Sequence, residues 1–104
     1  MPITVTLQYF DGCPNWQEME RDVRAASERI GVDVGINLQK VETNEAAEEL
    51  AFRGSPTLIV AGRDPFAEPD APVGLSCRVY KDGDRFSGSP GVAALEEALR
   101  RAST

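Results

Sequence analysis

A chain of 104 residues is one domain, residues 1–104, and at this size roughly 60–70% of the extended-chain surface can be buried in a single core. With 41% hydrophobic residues and no long apolar run, it reads as globular, neither disordered nor membrane-spanning. A net charge of −6 argues against nucleic-acid and anionic-membrane partners, and the absence of histidine excludes a Ser-His-Asp triad, a Cys-His dyad and any His-ligated metal site.

The start, Met1-Pro2-Ile3-Thr4, lacks a basic stretch followed by an apolar segment, so a cytoplasmic location is expected. Two cysteines in such a chain read as free or redox-active rather than as a structural framework. Ile3 to Phe10 alternates apolar and polar residues with period two and is rich in Val, Ile, Thr and aromatics, which predicts a strand. Beyond it, Trp16, Met19, Val23, Ala26 and Ile30 recur at spacings of three and four, one face of a helix that Gly31 can end. Pro14 then falls at or next to the first helical position, where its missing N–H loses nothing. Cys13 is thereby set at a helix N-terminus, where unpaired N–H groups and the dipole favour thiolate over thiol. The competing reading makes Cys13 a small buried hydrophobe. Asp11 reads as a solvated turn residue, or as a proton acceptor for the thiol.

Asp33 to Glu42 predicts a second strand, with Val34, Ile36 and Leu38 on one face. Thr43 or Asn44 can cap a following helix whose apolar face is Ala46, Ala47, Leu50, Ala51 and Phe52. That order implies a right-handed crossover with the first two strands parallel. Pro56 opens a third strand through Leu58-Ile59-Val60-Ala61-Gly62, a short apolar run suited to burial, and the X-Pro bond at such a turn can be cis.

Taken together, Phe10-Asp11-Gly12-Cys13-Pro14-Asn15-Trp16 and Gly54-Ser55-Pro56-Thr57 resemble the thioredoxin-like family. The resemblance implies a nucleophilic cysteine at the start of the first core helix, matched by Cys13, and a facing cis-proline loop, matched by Pro56. It implies an α/β sandwich with a central mixed four-stranded sheet (β-α-β-α-β-β-α) flanked by helices, the first two strands parallel and the last two antiparallel. Redox members carry a resolving cysteine three residues after the first, where this chain has Trp16, so dithiol exchange within Cys13-Pro14-Asn15-Trp16 is impossible. Trp16 fits the apolar helix face as core. With Pro14, Ser55, Pro56 and Thr57 it is also a candidate for the substrate-binding surface.

Cys77 is the one distant cysteine available, after a loop from Arg63 to Gly74 in which three prolines forbid helix and ladder pairing. If Cys77 begins a strand that hairpins against Thr57 to Ala61, it lies roughly 15 Å along the sheet from Cys13. If the last strand is instead centred on Asp84 to Ser87, after a Lys81-Asp82-Gly83 turn, the Cys77 segment has slack to approach, and a disulfide needs Cα atoms within about 7 Å. Arg78 could set a positive charge beside a thiolate, or be a surface arginine. Ser89 or Pro90 starts a final helix with Val92, Leu95, Ala98 and Leu99 facing the core.

The reading that follows is a thiol-dependent oxidoreductase in which Cys13 attacks a disulfide or another electrophilic sulfur, Cys77 resolves the mixed species, and Pro56 shapes the edge that holds the substrate. No cofactor or metal is called for, and the partner is a thiol or disulfide substrate, small molecule or protein. Two alternatives stand beside it. One is a soft-metal site or lyase using Cys13 and Cys77, similar to organomercurial lyases, although Trp16 stands where that family has its acid. The other is a binding module of the same fold without chemistry.

Overall fold

The computed structural model describes residues 3–67, 70–82 and 84–103. Met1, Pro2, Glu68, Pro69, Gly83 and Thr104 lie outside the described residues, and with them one proline of the long loop and the glycine of the expected turn. The elements in order are β1 (Ile3–Tyr9), α1 (Trp16–Ile30), β2 (Val34–Lys40), α2 (Asn44–Leu50), β3 (Thr57–Val60), β4 (Tyr80–Asp82), β5 (Arg85–Ser87) and α3 (Val92–Ser103).

Strand β1 is the middle of a three-stranded mixed sheet of order β2-β1-β3. It pairs parallel with β2 from Ile3↔Val34 to Tyr9↔Lys40, and antiparallel with β3 from Val5↔Val60 to Gln8↔Thr57. The parallel pair and the intervening helix are those the sequence predicts. The expected fourth strand is a correction: β4 does not join this sheet but pairs antiparallel with β5 in a separate two-stranded ribbon. The chain direction explains it. Cys77 forms an isolated parallel bridge with Ser55, so the segment leading to β4 arrives running with the start of β3, not against it as a hairpin requires. Among the described residues, no helix is long and apolar enough to cross a membrane.

One face of the sheet is covered by α1 and α3. Val5, Leu7, Met19, Val23, Ala26, Leu58, Leu95 and Leu99 form the main core, each without exposed surface, and full burial of such a side chain stabilises the fold by about 1.5–3 kcal/mol. Helix α1 ends where expected: Gly31 adopts a left-handed φ of 69°, and the N–H groups of Gly31 and Val32 return to the carbonyls of Glu28 and Ser27. A second cluster of Val41, Ala47 and Phe52 lies under α2 and takes in Phe10 and Leu75.

Of the two candidate caps for α2, Thr43 is the one used, its Oγ1 accepting from the Ala46 N–H at 3.0 Å. The apolar face read for α2 is only half right. The helix stops at Leu50, and Leu50 and Ala51 face solvent. Ala51 turns left-handed at φ 52°, which swings Phe52 back beneath the helix and into the core. Helix α3 starts at Val92, two residues beyond Pro90. It is joined to α1 by Glu96, which meets Arg29 at 3.5 Å and Arg100 at 3.7 Å.

Candidate redox site

Where β1 ends, the chain turns tightly, with the Cys13 N–H donating to the Phe10 carbonyl at 3.2 Å. Helix α1 follows after a tightened turn in which the Gln17 N–H reaches the Pro14 carbonyl at 3.3 Å, so Cys13 sits just ahead of the helix with Pro14 exposed beside it. Trp16, the first helical residue, stacks on Tyr9 with ring centroids 4.5 Å apart and packs on the main core, its structural role in this site.

Opposite Cys13 runs the turn that opens β3. The Ser55–Pro56 bond is cis, and Ser55, Pro56 and Thr57 are all buried. The Ser55 hydroxyl accepts from the Phe10 N–H at 3.3 Å, tying this turn to the end of β1. Thr57 Oγ1 donates to the Gly54 carbonyl at 2.7 Å.

Cys77 arrives from the far side of the chain. Its segment is stitched to the turn by two backbone bonds of 2.7 Å, from the Ser55 N–H to the Ser76 carbonyl and from the Arg78 N–H to the Ser55 carbonyl. Cys13 and Cys77, 64 positions apart, form a disulfide with a Cα–Cα separation of 5.7 Å. Of the two paths left open by the sequence, the one with slack is taken. Cys13 Sγ also lies 3.5 Å from the Ser55 carbonyl oxygen. A disulfide sulfur has no proton to give, so this approach becomes an S–H···O bond only after reduction.

Three further groups hold the Cys77 segment in place. Arg78 is neither beside a thiolate nor on the surface: it is buried, and its guanidinium donates to Asp64 Oδ2 at 2.7 Å, to Thr57 Oγ1 at 3.2 Å and to the Phe66 carbonyl. Asp64 uses its other oxygen to accept the Phe66 N–H at 2.8 Å. The Tyr80 hydroxyl donates to the Pro56 carbonyl, and its ring lies 4.6 Å under the Arg78 guanidinium carbon. The Gly74 N–H bonds the Phe52 carbonyl at 3.0 Å, and Arg53 donates to the Ala71 carbonyl. The proline-rich segment is thus tied down at several points.

Sequence reasoning passed over Asp64 and Tyr80. The one signal for Asp64 was an Asp-Pro pair, which marks a turn and not a partner. Asp11 is exposed and turned to Lys40, whose ammonium it meets at 2.6 Å. The hydrogen bond and charge of Asp11, aided by Glu42, raise the Lys40 pKa above its ordinary value. That pairing directs the Asp11 carboxylate to a lysine rather than to a sulfur. Among the described residues, no group of three or more Cys, Asp or Glu side chains is placed to hold a metal ion.

No protein-family model matches this chain, and no curated protein matches it.

Gly54 is a position where the geometry of the site leaves no room for a side chain. Its φ of 118° is one that other residues rarely adopt, and a Cβ there would stand 2.9 Å from Arg78 Cβ and 3.2 Å from the Ser76 carbonyl oxygen. Gly54→Ala is expected to destabilise the protein by about 3 kcal/mol, combining backbone strain with displacement of the Cys77 segment. It should also slow reoxidation of the reduced pair. Urea unfolding together with thiol titration during reoxidation measures both, and a wild-type midpoint would show that the segment can shift without loss.

Proposed function

We propose that this protein is a thiol–disulfide oxidoreductase that cycles between a Cys13–Cys77 disulfide and the corresponding dithiol, on a thioredoxin-like fold. The observation that carries the reading is the meeting of two cysteines 64 positions apart at a Cα separation of 5.7 Å, one of them just ahead of a helix. The β1-α1-β2 parallel crossover, the antiparallel β3 and the Ser55-Pro56 turn beside Cys13 support the fold assignment. Trp16 is core in this reading, and the resolving role falls to the distant cysteine instead of a neighbour in the helix.

The chemistry balances as a two-electron exchange. Two external thiols lose two electrons and two protons to form one disulfide, and the Cys13–Cys77 bond becomes two thiols, or the reverse. The test is turnover of glutathione disulfide by dithiothreitol with the wild-type chain, Cys13→Ser and Cys77→Ser. Wild type should exceed the uncatalysed rate, and each variant should fall well below wild type. Undiminished turnover in both variants would sink the reading.

The proximity of the two sulfurs also favours a second reading. Once reduced, two neighbouring thiolates are soft ligands of the kind that select a cation such as Hg(II) or Cu(I). Stoichiometric binding that needs both cysteines, without disulfide turnover, would favour it over exchange. An oxidised form that resists dithiothreitol under native conditions would favour the binding module.

A further inference from the structure

We infer that exchange enters this site through Cys77, with Cys13 as the sulfur that leaves and later returns, the reverse of the order the sequence suggests. The inference deepens the oxidoreductase reading and rests on it.

Access decides the order. A thiolate attacks a disulfide sulfur from the side opposite the bond that breaks, so the attacked sulfur must be reachable from solvent. Cys13 has no exposed surface, whereas Cys77 is exposed. The alternation of the segment accounts for the difference: Arg78 and Tyr80 point inward while Cys77 and Val79 lie on the outside. Rotation of a side chain would not uncover Cys13. Its sulfur rests against the carbonyl of the fully buried Ser55, and the segment beside it is fixed by both backbone bonds to Ser55 and by the Arg78–Asp64 pair.

In the reducing direction, an external thiolate attacks Cys77 Sγ and forms a new S–S bond there. The Cys13–Cys77 bond breaks and its electron pair departs on Cys13, beside the start of α1, where N–H groups without helical partners favour an anion. A second external thiolate then attacks the external sulfur of the mixed species and releases the Cys77 thiolate; the two protons given up by the external thiols end on Cys13 and Cys77. In the oxidising direction, the Cys77 thiolate attacks a substrate disulfide and expels one thiolate. Cys13 then attacks Cys77 Sγ, closing the internal bond and expelling the other. Substrates are accordingly small thiols, or cysteines exposed enough to reach Cys77, since none has to enter the buried side.

The experiment traps the intermediate. The oxidised wild-type chain is mixed with excess glutathione, quenched in acid, alkylated with N-ethylmaleimide and mapped by peptide mass. The expected product carries glutathione on Cys77 and maleimide on Cys13, in roughly tenfold or greater excess over the opposite pattern, as the difference in access requires. Single-cysteine chains give an independent measure. Cys77 in Cys13→Ser should form a mixed disulfide with glutathione disulfide roughly ten times faster than Cys13 in Cys77→Ser. Glutathione chiefly on Cys13, equal labelling of both, or equal rates in the two variants would overturn the order. Failure of the oxidoreductase reading would appear separately, as absence of turnover with dithiothreitol whichever sulfur is labelled.

Discussion

Reduction of the Cys13–Cys77 bond is expected to lower the unfolding free energy by about 4 kcal/mol. The figure follows from the separation of the two cysteines, 64 positions, because a cross-link stabilises mainly by removing loop-closure entropy from the unfolded chain, and that term grows with the logarithm of loop length. For a domain whose whole stability is on the order of 5–15 kcal/mol, this is a large share. Urea unfolding with and without reductant, at constant pH, gives the difference directly. A gap below about 1 kcal/mol would mean that the reduced chain unfolds to a state already constrained between those positions. The effect has a functional side. Whatever free energy the bond adds to folding, folding adds equally to the bond, so the native chain favours the oxidised pair more strongly than the unfolded chain does.

The second large effect is expected at the buried ion pair. Asp64→Ala should cost about 3 kcal/mol, since it leaves the Arg78 guanidinium, 7% exposed, with a charge and no counter-ion. Arg78→Met should cost a similar amount, through loss of its bonds to Thr57 and Phe66 as well as to Asp64. These losses rival that of the disulfide itself, and the comparison bears on the reduced state. Two backbone bonds at Ser55, worth about 1 kcal/mol each, together with the Arg78 cluster, are expected to keep the 76–78 segment seated when the covalent link is open. Cys77 is then held beside Cys13, ready to close again. Reoxidation of the reduced chain by glutathione disulfide should accordingly slow in both variants, and a double-mutant cycle of unfolding free energies should show strong coupling between the two sites. Reclosure at the wild-type rate would mean that the bonds at Ser55 seat the segment without help from Arg78.

Much of this architecture was legible in the residues. The period-two run of β1, the stripe through Met19, Val23 and Ala26, the stop at Gly31 and the Thr43 cap are local signals, and local physics decides them. The opposition of Cys13 to the Ser55-Pro56 turn came from the resemblance to the thioredoxin-like family and not from any local signal. What escaped reading was set by long-range partners. Leu50, Ala51 and Phe52 fit a helical stripe equally well, and a left-handed turn at Ala51 decides which of them is buried. The missing fourth sheet strand has the same origin, because a short run such as Tyr80-Lys81-Asp82 carries no record of which edge it will join. Arg78 was judged by its neighbour in sequence, Cys77. Its actual partner lies fourteen positions away, across a proline-rich segment with no periodicity to read.

The bond between Cys13 and Cys77 also makes the oxidised molecule a ring with two tails. Helix α1, β2, α2 and β3 lie within the ring, while β1, the ribbon and α3 lie outside it. The middle strand of the sheet is therefore a tail, gripped on both edges by strands belonging to the ring. Under tension applied to the two tails, the ring cannot lengthen: its 64 intervals, at roughly 3.5 Å each, hide on the order of 200 Å of chain behind one covalent bond. Only a reductant releases that hidden length, so this small domain has two different mechanical reaches, chosen by the thiol chemistry around it.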